Sequence, residues 1–552
     1  MHLSYAHGIA SRPLLGQTVG QALDSAARRF GASDAVISRH QNLRYSYAEL
    51  LQHANRAAKA LISLGVQRGD RVGIWSPNNA EWAIVQYAAA KAGAILVNVN
   101  PAYRVRELQY ALRHSGVSVL VGARGFRSAD YVQMLDELAP ALPALRHVVY
   151  LGDADSSTGV IWADFLKLGD GVSDGELAQR EALLQFDDPV NIQYTSGTTG
   201  TPKGATLSHH NILNNGYFVG EALHYTEEDR ICLPVPFYHC FGCVLGNMAA
   251  VTHGCAIVLP GESFDPDATL RAIATERCTS IYGVPTMFIA QLNHGAFETF
   301  RLESLRTGIM AGAPCPVDVM RRVIDRMHAR DVTIGYGMTE TSPVSFQSAM
   351  DDPIDVRVST VGRVHPHVEC KIIDSQTGAI VPRGARGELC TRGYVVMLGY
   401  WDDAAATARA IDAARWMHTG DLATMNEDGY VSIAGRIDDM IIRGGENIYP
   451  REIEEFLHTH PLVSEAQVIG VPSERYGEEV MAWVRPRPGA TLTAEEMTEY
   501  CKGRIATYKV PRHWKFVDEF PLTVTGKVQK FRMRELAIVE LGLQVAAGMK
   551  TA

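Results

Sequence analysis

Short apolar runs alternate with stretches of helical periodicity through the first 350 residues. Arg71–Trp75 reads as a strand, Glu81–Lys91 as a helix and Ala94–Val99 as a strand. A helix over Arg104–His114 and a strand over Val117–Val121 follow. The rhythm returns with a strand at Ala256–Leu259, a helix at Asp267–Glu276, a strand at Ser280–Tyr282 and a helix at Val317–Arg330. Continuous apolar strands separated by helical segments are the pattern of parallel sheets covered on both faces. It occurs twice, which predicts two stacked α/β lobes.

The texture changes near residue 355. From Val356 to Ile433 short β-like segments are broken by Gly362, Gly378, Gly384, Gly387, Gly393 and Gly399. That predicts a small β-barrel-like subdomain or a distorted sheet attached to the α/β body. After Gly435 the chain is polar and turn-like up to Arg443-Gly444-Gly445, and Pro450 then opens a helix at its first position. The remainder mixes strands (Ala466–Gly470, Val480–Val484, Trp514–Val517) with helices (Ala494–Ile505, Arg532–Leu541). It reads as a separate α+β domain of roughly one hundred residues. With the boundary near Asp438, the expected domains are 1–437 and 438–552. No internal repeat of solenoid period is visible.

Composition narrows the classes. The chain has 552 residues, 46% of them apolar and 20% charged, which excludes a wholly disordered protein. At about 100–200 residues per domain, three to five structural units are expected. The net charge of −9 argues against duplex DNA and anionic membrane as partners. A local basic pocket for phosphates remains compatible with it. The nine cysteines are odd in number and sparse in a long chain, which points to reduced thiols in a cytoplasmic compartment. Cys240 and Cys243 form a C-x-x-C without a second pair at zinc-finger spacing. They read as small buried hydrophobes, and His239 beside them does not complete a four-ligand set. No run of 18 apolar residues predicts a membrane-spanning helix. Met1 to Leu15 lacks the basic start and apolar stretch of a signal peptide.

The strongest local signal follows the apolar run Val190–Gln193. It is Tyr194-Thr195-Ser196-Gly197-Thr198-Thr199-Gly200-Thr201-Pro202-Lys203-Gly204. Three glycines, five hydroxyls and one ammonium are packed into ten residues. Phosphate oxygens need many donors at close range, and glycine lets the backbone approach them. A Walker loop would place Lys directly between Gly and Ser or Thr, so Gly-Thr-Pro-Lys-Gly is a phosphate loop of another kind. Gly335 and Gly337 form only G-x-G, which is not a dinucleotide fingerprint.

This loop resembles the signature of the adenylate-forming superfamily, which includes acyl-CoA synthetases, luciferases and peptide-synthetase adenylation domains. Further matches come in the family's order. They are Tyr336-Gly337-Met338-Thr339-Glu340-Thr341, His418-Thr419-Gly420-Asp421, Gly435-Arg436-Ile437-Asp438-Asp439, Gly444-Gly445-Glu446-Asn447-Ile448-Tyr449-Pro450 and Thr525-Gly526-Lys527. The resemblance implies a reaction in two halves. A carboxylate attacks the α-phosphorus of ATP, giving acyl-adenylate and pyrophosphate; a thiol then attacks the acyl carbon, giving a thioester and AMP.

The resemblance also implies roles. Thr195 to Lys203 hold the triphosphate, Thr339 contacts the α-phosphate, and Glu340 is the Mg2+ ligand, a hard oxygen donor suited to that cation. Tyr336, with Gly335, Gly337 and Met338, lies beside the adenine, and Gly312-Ala313-Pro314 walls its other side. Asp421 accepts both ribose hydroxyls, and Arg436 reaches the ribose or the phosphate. Lys527 bridges the carboxylate and the α-phosphate during adenylation only. The small α+β domain is then mobile, turning about a hinge at Asp438. That turn withdraws Lys527 and brings Gly444 and Gly445 to line a tunnel for the pantetheine of coenzyme A. His239 borders the acyl carboxylate.

No acid follows Phe237 to hold an amino acid's ammonium, and no carrier domain is read after residue 552, which favours coenzyme A as acceptor. The segments expected to line the acyl pocket include Tyr282, Gly283, Val284, Met287, Met310 and Ala311, and they carry no charge. A second charge on the acid would be left unpaired there, so an apolar acid is expected. Gly308-Ile309-Met310-Ala311-Gly312-Ala313-Pro314-Cys315-Pro316 and Trp75-Ser76-Pro77-Asn78-Asn79 resemble the medium-chain fatty acyl-CoA synthetase branch. The expected activity is an AMP-forming fatty acid–CoA ligase using ATP, Mg2+ and coenzyme A. An aryl-CoA ligase, an adenylation enzyme with a non-CoA acceptor and a non-catalytic acyl-binding protein are the alternatives. Small molecules are the expected partners, and a homodimer is left open.

Overall fold

The computed structural model describes residues 2–152, 159–195, 202–313, 315–437, 439–444, 446–522 and 528–544. The chain divides into two compact units. One comprises Ala6–Cys370 and Thr391–Met417; the other comprises Met1–Tyr5, Lys371–Cys390 and His418–Ala552.

The first unit holds the two expected sheets. One has eight strands in the order Val160–Ile161, His147–Tyr150, Val117–Gly122, Arg71–Trp75, Ile95–Asn98, Pro189–Thr195, Lys203–Ser208, Gly399–Tyr400. It is parallel up to Pro189–Thr195 and antiparallel beyond. The other has nine strands, in which Thr307–Ala311 lies between Ser280–Gly283 and Asp331–Gly337, all parallel. Helix Ala80–Ala92 joins the two lobes. Asn79 caps its start by accepting the Trp82 N–H at 2.8 Å, and Gly93, at φ +77°, ends it. This helix is apolar almost all round and buried along its length, as a helix packed on every side must be. Its one cation, Lys91, is buried and paired with Asp24 at 2.8 Å and Glu181 at 2.7 Å.

The helix expected to run to Arg330 ends at Arg326. His328 adopts φ +64°, a left-handed turn that stops the helix, while the buried Met327 and Ala329 continue the apolar pattern past it.

Residues of the second unit contribute to a five-stranded sheet in the order Tyr5–His7, Val368–Ile373, Gly387–Gly393, Met417–Met425, Val431–Arg436. Among the described residues this is an open path, so the glycine-broken region is a sheet rather than a closed barrel. The rest of that unit is the expected α+β body. Strands Val463–Ser473 and Gly477–Pro486 form a long antiparallel hairpin, and His513–Phe516 adds in parallel. One cluster gathers Ile453, Leu457, Val468, Val480, Met497 and Cys501; a second gathers Val471, Met481, Trp483, Met533 and Ala537. Adjacent residues of each strand thus serve opposite faces, as the pleat requires. No helix among the described residues is long and apolar enough to cross a membrane.

Candidate active site

In open α/β sheets ligands bind beyond the carboxyl ends of the strands. Three neighbouring parallel strands of the nine-stranded sheet end together here. Gly283 pairs with Met310, and Ala311 pairs with Gly335. Tyr336 and the exposed Gly312 and Ala313 therefore emerge side by side at one edge. Gly312 has φ +87°, a turn that favours glycine. Gly337 is required for a different reason: a Cβ there would meet the Pro343 carbonyl oxygen at 1.7 Å.

The chain then makes the short 3-10 turn Thr339–Thr341, which buries Thr339 and Glu340. Two residues distant in sequence converge on Glu340. Tyr400 donates its hydroxyl to Glu340 Oε1 at 2.9 Å, and Thr195 donates to the same oxygen at 3.4 Å. Lys203 Nζ stands over the Tyr400 ring, 5.2 Å from its centroid. Among the described residues Glu340 forms no ion pair. A buried carboxylate held by neutral hydroxyls is a hard oxygen site that fits a small divalent cation.

Thr195 and Lys203 are antiparallel partners, so they bracket residues 196–201. Both ends of that bracket are tied to helix Val105–Ser115. Tyr110 donates to the Pro202 carbonyl at 3.0 Å, and Tyr194 donates to Ala111 at 3.2 Å with His114 Nδ1 2.9 Å away. Burial pushes the Tyr194 phenol up, keeping it a neutral donor.

His239 caps the helical turn Cys240–Cys243, its Nδ1 accepting the Phe241 N–H at 3.2 Å. That contact leaves the neutral ring's proton on Nε2. The next residue, Cys240, donates to Thr339 Oγ1 at 3.7 Å, so the His239 segment and the Thr339 turn adjoin. Cys240 and Cys243 are buried. Tyr282 is buried and bonded to Leu245 and Tyr225, both at 3.2 Å, and Met310 lies wholly within the apolar core. Val284 and Met287 are buried at the start of helix Pro285–Leu292.

The second unit carries its own pair. Asp421 and Arg436 are antiparallel partners, and Arg436 Nε donates to Asp421 Oδ1 at 3.1 Å. Gly444, at φ +59°, donates its N–H to the Tyr476 carbonyl at 2.8 Å, with the Tyr476 ring beneath it. Ser196, Gly197, Thr198, Thr199, Gly200, Thr201, Pro314, Asp438, Gly445 and Lys527 lie outside the described residues. Leu522 and Val528, which flank the Lys527 segment, pair as an isolated antiparallel bridge.

Tyr400 is a site residue that sequence reasoning missed. Its only local signal is the run Leu398-Gly399-Tyr400-Trp401, and nothing there points to residue 340.

Residues 23–401 match the AMP-binding enzyme family, and residues 452–527 match the AMP-binding enzyme C-terminal domain. The chain belongs to the AMP-binding enzyme family. It is 46% identical over 555 residues to the mitochondrial medium-chain acyl-CoA ligase ACSF2 of Danio rerio, covering 98% of this chain and 91% of that protein. Among solved structures it resembles the anthranilate CoA ligase AuaEII in complex with anthranoyl-AMP, with TM-score 0.86 and 27% identity over 96% of this chain and 99% of that one. It also resembles ATP-bound MatB from Rhodopseudomonas palustris, with TM-score 0.80 and 29% identity over 94% of this chain and 99% of that one.

Proposed function

We infer that this member of the family is an AMP-forming acyl-CoA ligase acting on a fatty acid of medium to long chain. The observation that carries the reading is the convergence of Thr195 and Tyr400 on the buried Glu340, with Lys203 over the Tyr400 ring, at the bracket of the phosphate loop. The similarity to a medium-chain acyl-CoA ligase over nearly the whole chain supports the acid and the acceptor.

In this reading the donors of residues 195–203 hold the β- and γ-phosphates, and Thr339 hydrogen-bonds an α-phosphate oxygen. Tyr336 and the Gly312–Ala313 turn flank the adenine, and Asp421 accepts the ribose hydroxyls with Arg436 beside it. Glu340 would hold Mg2+, which would supply charge neutralisation on the phosphate oxygens. The fatty carboxylate forms a bond to the α-phosphorus, and the bond to pyrophosphate breaks. Lys527 stabilises the charge that develops between them. Residues 438–552 then turn about Asp438, so that Gly444 and Gly445 line the approach of coenzyme A. Its sulfur bonds to the acyl carbon as AMP leaves. His239, with its proton on Nε2, donates toward the acyl oxygen. The uncharged segments around Val284 and Met287 favour an apolar acid, and cysteines held in no disulfide suit a cytoplasmic, reducing setting.

The test is release of pyrophosphate, and then of AMP, over short- to long-chain fatty acids and a few aryl acids. Fatty acids of medium to long chain are expected to give AMP release that depends on coenzyme A. Lys527→Ala is expected to lose adenylation yet convert supplied acyl-adenylate to thioester. Equal loss of both halves contradicts the two-position scheme, and preference for aryl acids contradicts the substrate.

A further inference from the structure

Glu388 and Cys390 sit two apart on strand Gly387–Gly393, so their side chains share one face of the sheet. His418, on the neighbouring strand Met417–Met425, reaches the same face. Its Nδ1 lies 3.1 Å from Glu388 Oε2 and 3.7 Å from Cys390 Sγ, and all three donor atoms fall within 4.8 Å of one another. Cys390 is fully buried and Glu388 nearly so, whereas His418 is 30% exposed and gives the cluster a way in from solvent.

We propose that Glu388, Cys390 and His418 form a binding site for a thiophilic divalent cation of the Zn2+ class. At zinc bond lengths of about 2.0–2.3 Å, a tetrahedron has N···S and N···O edges of about 3.4–3.6 Å. The two observed separations lie within a few tenths of an ångström of those edges. One nitrogen, one thiolate sulfur and one carboxylate oxygen are the donors zinc takes, and a fourth corner is left for water. Binding releases one proton, from the thiol. The imidazole ligates through Nδ1 and carries its remaining proton on Nε2. The metal–ligand bonds replace the His418–Glu388 hydrogen bond. Glu388 Oε1 keeps its contact with the Gly420 N–H, 3.3 Å away.

The site has a consequence for nucleotide binding, and that part rests on the proposed function. Asp421 lies three residues beyond His418 on the same strand. The turn before it is held by Thr419, whose hydroxyl donates to the Leu389 carbonyl at 2.7 Å and accepts the Asp421 N–H at 3.1 Å. Drawing His418 and Glu388 onto an ion pulls on both strands that set the Asp421 position. Occupancy is therefore expected to raise the apparent KM for ATP and leave that for the acid unchanged.

The test is titration of the full chain with Co2+ as a spectroscopic stand-in, followed by competition with Zn2+. One equivalent of Co2+ is expected to give a tetrahedral visible spectrum with a thiolate-to-cobalt band in the near ultraviolet, which Zn2+ abolishes. Cys390→Ser is expected to remove the thiolate band, and His418→Gln, at a partly exposed position, to weaken binding at least about tenfold. Cys315→Ser, the one partly exposed thiol among the described residues, is expected to change neither. Absence of the band, or its survival in Cys390→Ser, overturns the site. If the spectrum is as expected but Zn2+ leaves the KM for ATP unchanged, the ion site stands and the link to the nucleotide fails.

Discussion

Glu340 and Asp421 are both carboxylates expected to face the nucleotide, yet they are built in opposite ways. Glu340 is assembled from afar. Its hydroxyl donors come from residues 145 and 60 positions away, delivered by an inner strand and the edge strand of a different sheet. It is buried, and its donors Thr195 and Tyr400 are themselves placed by strand pairing. Asp421 is assembled locally. Its partner Arg436 is its own cross-strand neighbour in a hairpin, and that guanidinium is 52% exposed. The first arrangement needs the whole unit to be folded, and in it each contact depends on the others. The second needs only one correct register. Interactions within a buried, shared network are expected to couple strongly, whereas a pair whose cation is half in solvent is expected to couple more weakly.

The largest expected effect falls on the buried network. Glu340→Gln keeps the shape and removes the charge. If Glu340 holds Mg2+ on the phosphates, adenylation should fall by about 10²–10³-fold, the loss typical of removing one preorganised electrostatic contact. Thermal unfolding should stay near the parent value, because the amide can still accept from Tyr400 and Thr195. Pyrophosphate release within threefold of the parent would remove Glu340 from the site.

Asp421→Asn comes next. A hydrogen bond to a charged group contributes about 1.5–3 kcal/mol, so the KM for ATP should rise by about 10–100-fold. The KM for the fatty acid should hold steady. A parallel rise in both constants would place Asp421 in the framework rather than at the ribose.

The same contrast explains what could be read from the chain beforehand. The strands Arg71–Trp75 and Ala256–Leu259 have the expected limits, because an unbroken apolar run is what a strand buried on both faces must be. The helix from Val317 was overextended, because backbone handedness at His328 leaves no trace in hydropathy. Asp421 and Arg436 sit within short motifs, so a pair made by local register was visible as sequence. The loop residues Thr195 and Lys203 were visible for the same reason. Tyr400 was not. Its function-bearing contact exists only because Gly399–Tyr400 pairs with Lys203–Ser208 and so crosses to the turn at Glu340. Spacing along a chain carries no record of which strands will be neighbours. The Glu388–Cys390–His418 cluster was hidden in the same way, since its third member arrives from the next strand.

Tyr400→Phe tests the long-range side of the comparison directly. It deletes one hydroxyl and keeps the ring beneath Lys203. A hydrogen bond to a charged group contributes about 1.5–3 kcal/mol, but this hydroxyl acts on the reaction only through Glu340, so part of that loss reaches the rate and adenylation should fall by about 5–30-fold. The double variant Tyr400→Phe, Glu340→Gln should be hardly worse than Glu340→Gln alone, because the hydroxyl acts through the carboxylate. Simple multiplication of the two losses would show that Tyr400 acts on substrate by another route.

The smallest effect is expected at the hairpin. Arg436→Gln removes a guanidinium that is half in solvent, so the pair contributes no more than about 1 kcal/mol to stability. The backbone register Asp421–Arg436 survives the change, because the ladder bonds and not the side chains hold it. Stability by denaturant titration should therefore move little, while raised salt, which screens an exposed pair, should narrow the gap between variant and parent. A double cycle of Asp421→Asn with Arg436→Gln, read on stability, should give a coupling well below that of Tyr400 with Glu340 read on activity. A coupling of several kcal/mol at this hairpin would mean that solvent does not weaken the pair, and the distinction between the two carboxylates would fail.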